Sequence, residues 1–126
     1  MSKELIFVIQ KHHASHLHYD FRLEKDGVLK SWAIPKEPPQ ETDIKRLAIQ
    51  VEDHPLDYAN FEGEIAEGSY GAGLVEIWDK GYYIPLKFND TEIIFELKGE
   101  KLKGVYCLVK LKQKQDKNWL FFKKKN

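Results

Sequence analysis

The sequence predicts an all-β fold, a compact antiparallel β-barrel of about eight strands with little helix. Three observations carry that expectation. Apolar residues recur mostly with period two, turn signals separate the runs at short intervals, and no segment has the length and apolar period of an amphipathic helix. Closure into a barrel suits many short strands because it removes exposed edges.

In chain order, Leu5-Ile6-Phe7-Val8-Ile9 is an apolar run of strand length. Leu17, Tyr19, Phe21 and Leu23 alternate with His18, Asp20, Arg22 and Glu24, and Asp26-Gly27 marks a tight hairpin into a return strand from Val28 to Ile34. Pro35, Pro38 and Pro39 mark a loop, and residues 41 to 46 are expected to form one helical turn. Leu47 to Val51 reads as a strand that stops near Pro55. Glycines 63, 68, 71 and 73 punctuate a turn-rich stretch before Leu74 to Trp78 resumes extended structure. Lys80-Gly81 reads as a turn. Glu92 to Leu97, Val105 to Leu111 and Trp119 to Phe122 are the closing strands.

A length of 126 residues fits a single domain spanning 1–126. No apolar run approaches the roughly 20 residues of a membrane helix, and Met1 to Gln10 lacks the pattern of a signal peptide. Cys107 is the only cysteine, which excludes an intrachain disulfide and a cysteine-cluster metal site. A cytoplasmic setting with no membrane partner is the resulting expectation. The formal charge is zero, yet Lys98 to Asn126 carries ten lysines against Glu100 and Asp116. Net neutrality argues against coating nucleic acid by charge alone, while the basic segment permits a phosphate-bearing partner.

The chemistry concentrates between Gln10 and Glu24. On a strand, His18, Asp20, Arg22 and Glu24 share one face, with side chains two apart lying roughly 6.5–7 Å from each other. That spacing lets His18 and Asp20 converge on one cation, a donor pair suited to Mn²⁺, Fe²⁺ or Zn²⁺. Four of the five histidines fall between positions 12 and 18. His12 is the best third ligand, folding back over the strand, with His13 and His16 as competitors that spacing alone leaves open. Arg22, next on the face, can grip a phosphate oxygen beside the metal. His54 sits just past a strand, where a loop can aim it into a site.

With these residues in view, the sequence resembles the phosphoesterase domain of bacterial ligase D and its stand-alone relatives. The matching blocks are Gln10-Lys11-His12, Leu17 to Glu24, Leu29 to Lys36, Val51-Glu52-Asp53-His54-Pro55-Leu56-Asp57-Tyr58, Phe61-Glu62-Gly63 and Gly68-Ser69-Tyr70-Gly71-Ala72-Gly73. The resemblance implies a β-barrel that acts on 3′ ends of a primer-template duplex during end joining. It would remove a terminal ribonucleoside and then the 3′-phosphate, preferring Mn²⁺, with Co²⁺ or Zn²⁺ as other possible metals. By the same resemblance His12, His18 and Asp20 are metal ligands. Arg22, His54 and Tyr58 engage the scissile phosphate or are needed for activity, Lys36 and Arg46 are further phosphate-binding residues, and Gln10 and Glu24 support the metal site. A stand-alone version implies a separate ligase, polymerase and Ku-like end binder as partners. Two departures bear on substrate grip. Ligase-fused relatives have a longer segment before the first motif, where only Met1 to Ile9 precede Gln10 here. Many relatives also carry an acidic residue and two arginines where this chain has His13, Ser15 and His16.

The expected mechanism has the metal as Lewis acid and Arg22 and His54 stabilising charge on the phosphate. A protonated His54 would serve as proton donor to the leaving oxygen, and the Tyr58 hydroxyl would orient the phosphate. Two other functions compete. His18-x-Asp20 with a distal His54 mimics the ligand triad of non-haem iron oxygenases. A non-catalytic nucleic-acid-binding barrel would use the C-terminal lysines, with Trp32, Trp78 and Trp119 for stacking.

Overall fold

Period-two alternation produces nine strands in the computed structural model, which describes residues 4–69, 71–112 and 116–125. Tyr70 of the glycine-rich block and Lys114 of the basic segment lie outside the described residues. The strands are β1 (Leu5–His13), β2 (Leu17–Lys25), β3 (Val28–Ile34), β4 (Lys45–Pro55), β5 (Gly63–Ile65), β6 (Gly73–Phe88), β7 (Glu92–Lys98), β8 (Lys103–Lys110) and β9 (Asn118–Lys123). All pair antiparallel in the order β1-β2-β3-β4-β9-β8-β7-β6-β5. A β1–β6 pairing closes eight of them into a barrel and leaves β5 as a short outer strand on β6. The predicted fold class is therefore the observed one. No described helix is long and apolar enough to cross a membrane.

Inward-facing residues of every barrel strand fill the interior. Phe21 is central, with ring centroids 4.8 Å from Phe121 and 5.8 Å from Phe95. The loop after β3 plugs one end of the barrel: Pro38 and Pro39 are buried, and the Tyr106 hydroxyl donates to the Pro39 carbonyl at 2.8 Å. Arg46 Nε donates to the Glu37 carbonyl at 2.8 Å and fastens the same loop.

Two local expectations are corrected. Residues 41 to 46 form a bend and turn, not a helical turn, and β4 begins at Lys45. The one helix among the described residues is a short 3₁₀ turn, Leu56–Asn60, that starts directly after Pro55, whose fixed φ suits the entry. Lys80-Gly81 is no turn but the middle of the 16-residue β6. Glycine is needed there for close approach, since a Cβ would lie 2.2 Å from the Lys98 carbonyl oxygen. The Asp26-Gly27 reading holds, with both residues at positive φ as a type I′ turn requires.

The outer face of β1–β3 is not left to solvent. Val8, Leu29 and Ala59 are buried there in a second apolar cluster with Ile6, Leu56, Tyr58 and Ile77, so the 3₁₀ turn lies over the sheet as a cover. Opposite, buried Asp79 ties β6 to the β7–β8 connection. Its carboxylate accepts the backbone amides of Lys80, Glu100, Lys101 and Leu102 at 2.8–3.2 Å. Asp79→Ala is expected to strand several of these amides and lower stability by about 3 kcal/mol, read from urea unfolding. A loss under about 1 kcal/mol would show that water replaces the carboxylate.

Candidate metal centre

Strand register builds the site. His12 lies directly opposite His18, Gln10 opposite Asp20 and Val8 opposite Arg22. Directly opposed side chains on one sheet face are roughly 5 Å apart at Cβ, so two strands deliver what one strand could not. His12 thus reaches the ion position from β1, across the ladder, and does not fold back over β2. Between Ile9 and Gln10 the β1–β6 register shifts by one residue around Trp78, a bulge that bends the barrel next to the site.

Nδ1 of His12 is 3.6 Å and Nε2 of His18 is 3.2 Å from Asp20 Oδ2. The ligand atoms of the three residues all lie within 4.8 Å of one another. Neighbouring ligands around a first-row cation, at metal–ligand distances of about 2.0–2.2 Å, sit roughly 3–3.5 Å apart. The other ring nitrogens are already engaged. His12 Nε2 donates to the Gly71 carbonyl at 2.8 Å and His18 Nδ1 to the His16 carbonyl at 3.0 Å. Those bonds leave the lone pairs of His12 Nδ1 and His18 Nε2 on the Asp20 side, the tautomers a cation needs. Two imidazoles and a carboxylate, with space beside them, fit a divalent transition metal with open positions. His13 turns away to Glu76 and His16 contributes its carbonyl, so neither belongs to the donor group.

Charge balance agrees with that reading. The hydrogen bond to Asp20 raises the His18 pKa above its ordinary value. Burial pushes the Asp20 carboxyl up, but the His18 bond and the Arg22 charge outweigh it and hold the group below the usual range. A cation would take the place of the proton that His18 and Asp20 share.

Arg22 is almost wholly buried and is fixed from several sides. Nε donates to Gln10 Oε1 at 2.7 Å, Nη1 to Ser31 Oγ at 2.9 Å and to His54 Nδ1 at 3.1 Å, and Nη2 lies 3.6 Å from Asp20 Oδ2. Its guanidinium also packs over the Tyr58 ring at 5.0 Å. Gln10 Nε2 donates onward to the carbonyls of Tyr58 and Phe61, tying the arginine to the 3₁₀ cover. Arg22, Asp20, His54 and Tyr58 line, with His12 and His18, a cavity of about 370 Å³ that is bounded also by Ala14, Ala33, Val51, Glu52, Ile65 and Gly71.

The cavity gathers His12, His18, Asp20, Arg22, His54 and Tyr58, with Gln10 behind them. Glu24, Lys36 and Arg46 do not line it. Glu24 accepts the Ile6 amide at 3.0 Å and serves the sheet. Lys36 is exposed on the plug loop, and Arg46, on the inner side of β4 with Ala48, holds that loop. Ser31 and the Gly71 carbonyl are functional groups that sequence reasoning missed. Both sit inside motif blocks, but neither residue type announces a role as a buried acceptor.

The profile of the DNA Ligase D 3′-phosphoesterase domain matches residues 10–110. The chain belongs to that family. It is 52% identical over 129 residues to the Multifunctional non-homologous end joining protein LigD of Pseudomonas aeruginosa, covering 97% of this chain and 15% of the relative. It is 52% identical over 124 residues to the Multifunctional non-homologous end joining DNA repair protein LigD of Mycobacterium tuberculosis, covering 95% and 16%. The Mycolicibacterium smegmatis protein is 48% identical over 131 residues, with 95% and 17% covered. The chain therefore spans about one-sixth of the length of these relatives. The family takes its description from a phosphoesterase domain.

Two features of the competing functions lose their structural basis. His54 Nδ1 is engaged by Arg22, and His12, not His54, completes the donor group, which removes the oxygenase triad. Trp32 and Trp119 are buried in the barrel core and Trp78 packs against it, so none is presented for base stacking.

His54 is paired with Arg22 in the cavity wall. Arg22 can only donate, so the neutral ring accepts at Nδ1 and keeps its proton on Nε2. Burial first, then the Arg22 charge, lowers the His54 pKa below 6.5, outweighing the Glu52 carbonyl, which lies 3.1 Å from the same nitrogen. That shift favours the neutral ring, which gains charge as pH falls. Burial raises the Tyr58 pKa, so its hydroxyl stays protonated. In metal-free protein, NMR titration should place the His54 transition below 6.5, and Arg22→Met should move it upward. A transition above 6.5 in wild type would contradict the Arg22–His54 pairing.

Proposed function

We propose that this phosphoesterase is metal-dependent and trims nucleic-acid 3′ ends, removing a terminal 3′-ribonucleoside, a 3′-phosphate, or both, from a primer-template duplex. The single observation that supports this most is the adjacency of the His12–His18–Asp20 donor group to Arg22, a buried cation pinned within one cavity. A metal-plus-arginine pocket is built for a phosphate oxyanion.

His12, His18 and Asp20 would hold the ion, with Mn²⁺ the proposed metal and Co²⁺ or Zn²⁺ as substitutes. Bound there, the ion supplies Lewis-acid polarisation of a phosphoryl oxygen. Arg22 reaches the phosphate with no reorganisation, because Gln10 and Ser31 have already fixed its plane. Neutral His54 donates a hydrogen bond from Nε2 in place of a full proton, and the Tyr58 hydroxyl orients the phosphate. Lys36 and Arg46 act on the substrate beyond the cavity, through the plug loop that Arg46 fastens, and Gln10 supports the site. Proposed partners are a DNA ligase, a polymerase and a Ku-like end binder.

A labelled primer-template ending in one ribonucleotide, incubated with and without Mn²⁺, tests the reading by product size. Shortening is expected only with the metal, and His18→Ala should abolish it. Arg22→Lys, which loses the fork but keeps the charge, should lower turnover by about 100-fold. Metal-independent shortening, or His18→Ala within a few-fold of wild type, would contradict the proposal.

A further inference from the structure

The lysine excess of the C-terminal segment is not spread evenly over the barrel. β9 ends beside the start of β4, with Lys45 opposite Phe122 and Arg46 opposite Phe121. On its other side Lys123 lies opposite Tyr106, its side chain runs against Gly104, and the Lys124 amide bonds the Val105 carbonyl at 2.8 Å. Lys103 opens β8 at the same barrel end. In the other direction Arg46 holds the Glu37 carbonyl, which seats Lys36 next to it. Lys36 is two residues past Ile34, whose partner Tyr19 adjoins His18.

Residues far apart in sequence thus form one basic arc. It starts at the rim of the metal centre and crosses β3, β4, β9 and β8. Lys36, Lys45, Lys103 and Lys124 are exposed, while the Lys45 and Lys123 amines lie over the rings of Phe122 and Tyr106 at 5.5 and 6.0 Å. Near this end Lys125 pairs with Asp43, and Lys98, opposite Lys103, pairs with Glu4, so both acids are taken by lysines outside the arc. Glu37 and Glu41 of the plug loop offset only part of the charge. Four inter-strand spacings amount to roughly 19 Å. That is the axial length of about six nucleotides of one strand at roughly 3.4 Å each.

We propose that this arc is a track for the sugar–phosphate backbone of the duplex behind the 3′ end that enters the cavity. The proposal rests on the reading of the cavity as a 3′-end site, and its test separates the two. One variant carries Lys45→Gln, Lys103→Gln, Lys123→Gln and Lys124→Gln. A control removes equal charge at the opposite barrel end, with Lys25→Gln, Lys87→Gln, Lys112→Gln and Lys117→Gln. A third carries arginine at the four arc positions. Duplex binding by fluorescence anisotropy is followed against salt, and turnover is compared between a duplex primer and a dinucleotide with a 3′-phosphate.

The arc variant should lose about 3–4 from the salt slope, at about 0.9 per phosphate contact. Its KM for duplex should rise tenfold or more, with kcat and dinucleotide turnover unchanged. The arginine variant should match wild type, and the control should keep its slope. An unchanged slope in the arc variant, or an equal loss in the control, would overturn the track. Arc-dependent duplex binding by a wild-type protein that turns over no 3′ end would sustain the track and defeat the 3′-end reading.

Discussion

The antiparallel register of β1 and β2 is the constraint on which the site depends. With His12 opposite His18 and Gln10 opposite Asp20, the donor atoms meet on the outer sheet face while Phe7, Ile9, Phe21 and Leu23 fill the interior. Strand periodicity couples these outcomes, because a slip of one residue would send every imidazole and carboxylate into the core and every aromatic out of it. The cost of exposing the interior side chains, on the order of 2 kcal/mol each, is what holds the ligands in place. The connection at residues 14 to 16 fixes the same register from outside, and the His16 carbonyl within it orients the His18 ring.

The second element is the cover. A sheet surface facing water would give a charged network little strength, since solvent screens it. Here the 3₁₀ turn lies over β1–β3, and Gln10 joins the two layers by accepting from Arg22 and donating to the carbonyls of Tyr58 and Phe61. Arg22 and Asp20 are buried together, a costly arrangement unless each polar atom is satisfied. A cation and a phosphate oxyanion would complete that satisfaction. Burial thus serves function here more than stability: it makes a preorganised electrostatic site on an otherwise ordinary barrel.

Much of this was legible in the sequence, for identifiable reasons. Alternation on β2 specified the shared face of His18, Asp20 and Arg22, and Asp26-Gly27 specified the hairpin, because both signals are local. The contribution of His12 from a neighbouring strand depends on pairing register, which no local period encodes, so the residue was found but its approach was not. Gly81 was misread as a turn because its glycine answers to a distant carbonyl at Lys98. The acceptor roles of Ser31 and Gly71 were invisible since one is a common residue and the other acts through its backbone. The state of His54 could not be read either, as it follows from the Arg22 bond and burial. Lys36, Arg46 and Glu24 were assigned by resemblance, and the fold puts them on the plug loop and the sheet, outside the cavity.

The central claim is that β1 and β2 together form one cation site from two imidazoles and a carboxylate. Pulsed EPR of the purified protein with one equivalent of Mn²⁺ tests it most directly. Two directly coordinated imidazole nitrogens per bound ion are predicted, with one signal lost in His12→Ala, one in His18→Ala, and binding itself lost in Asp20→Ala. Bound Mn²⁺ with no imidazole coupling, or coupling unchanged in those variants, would contradict the account.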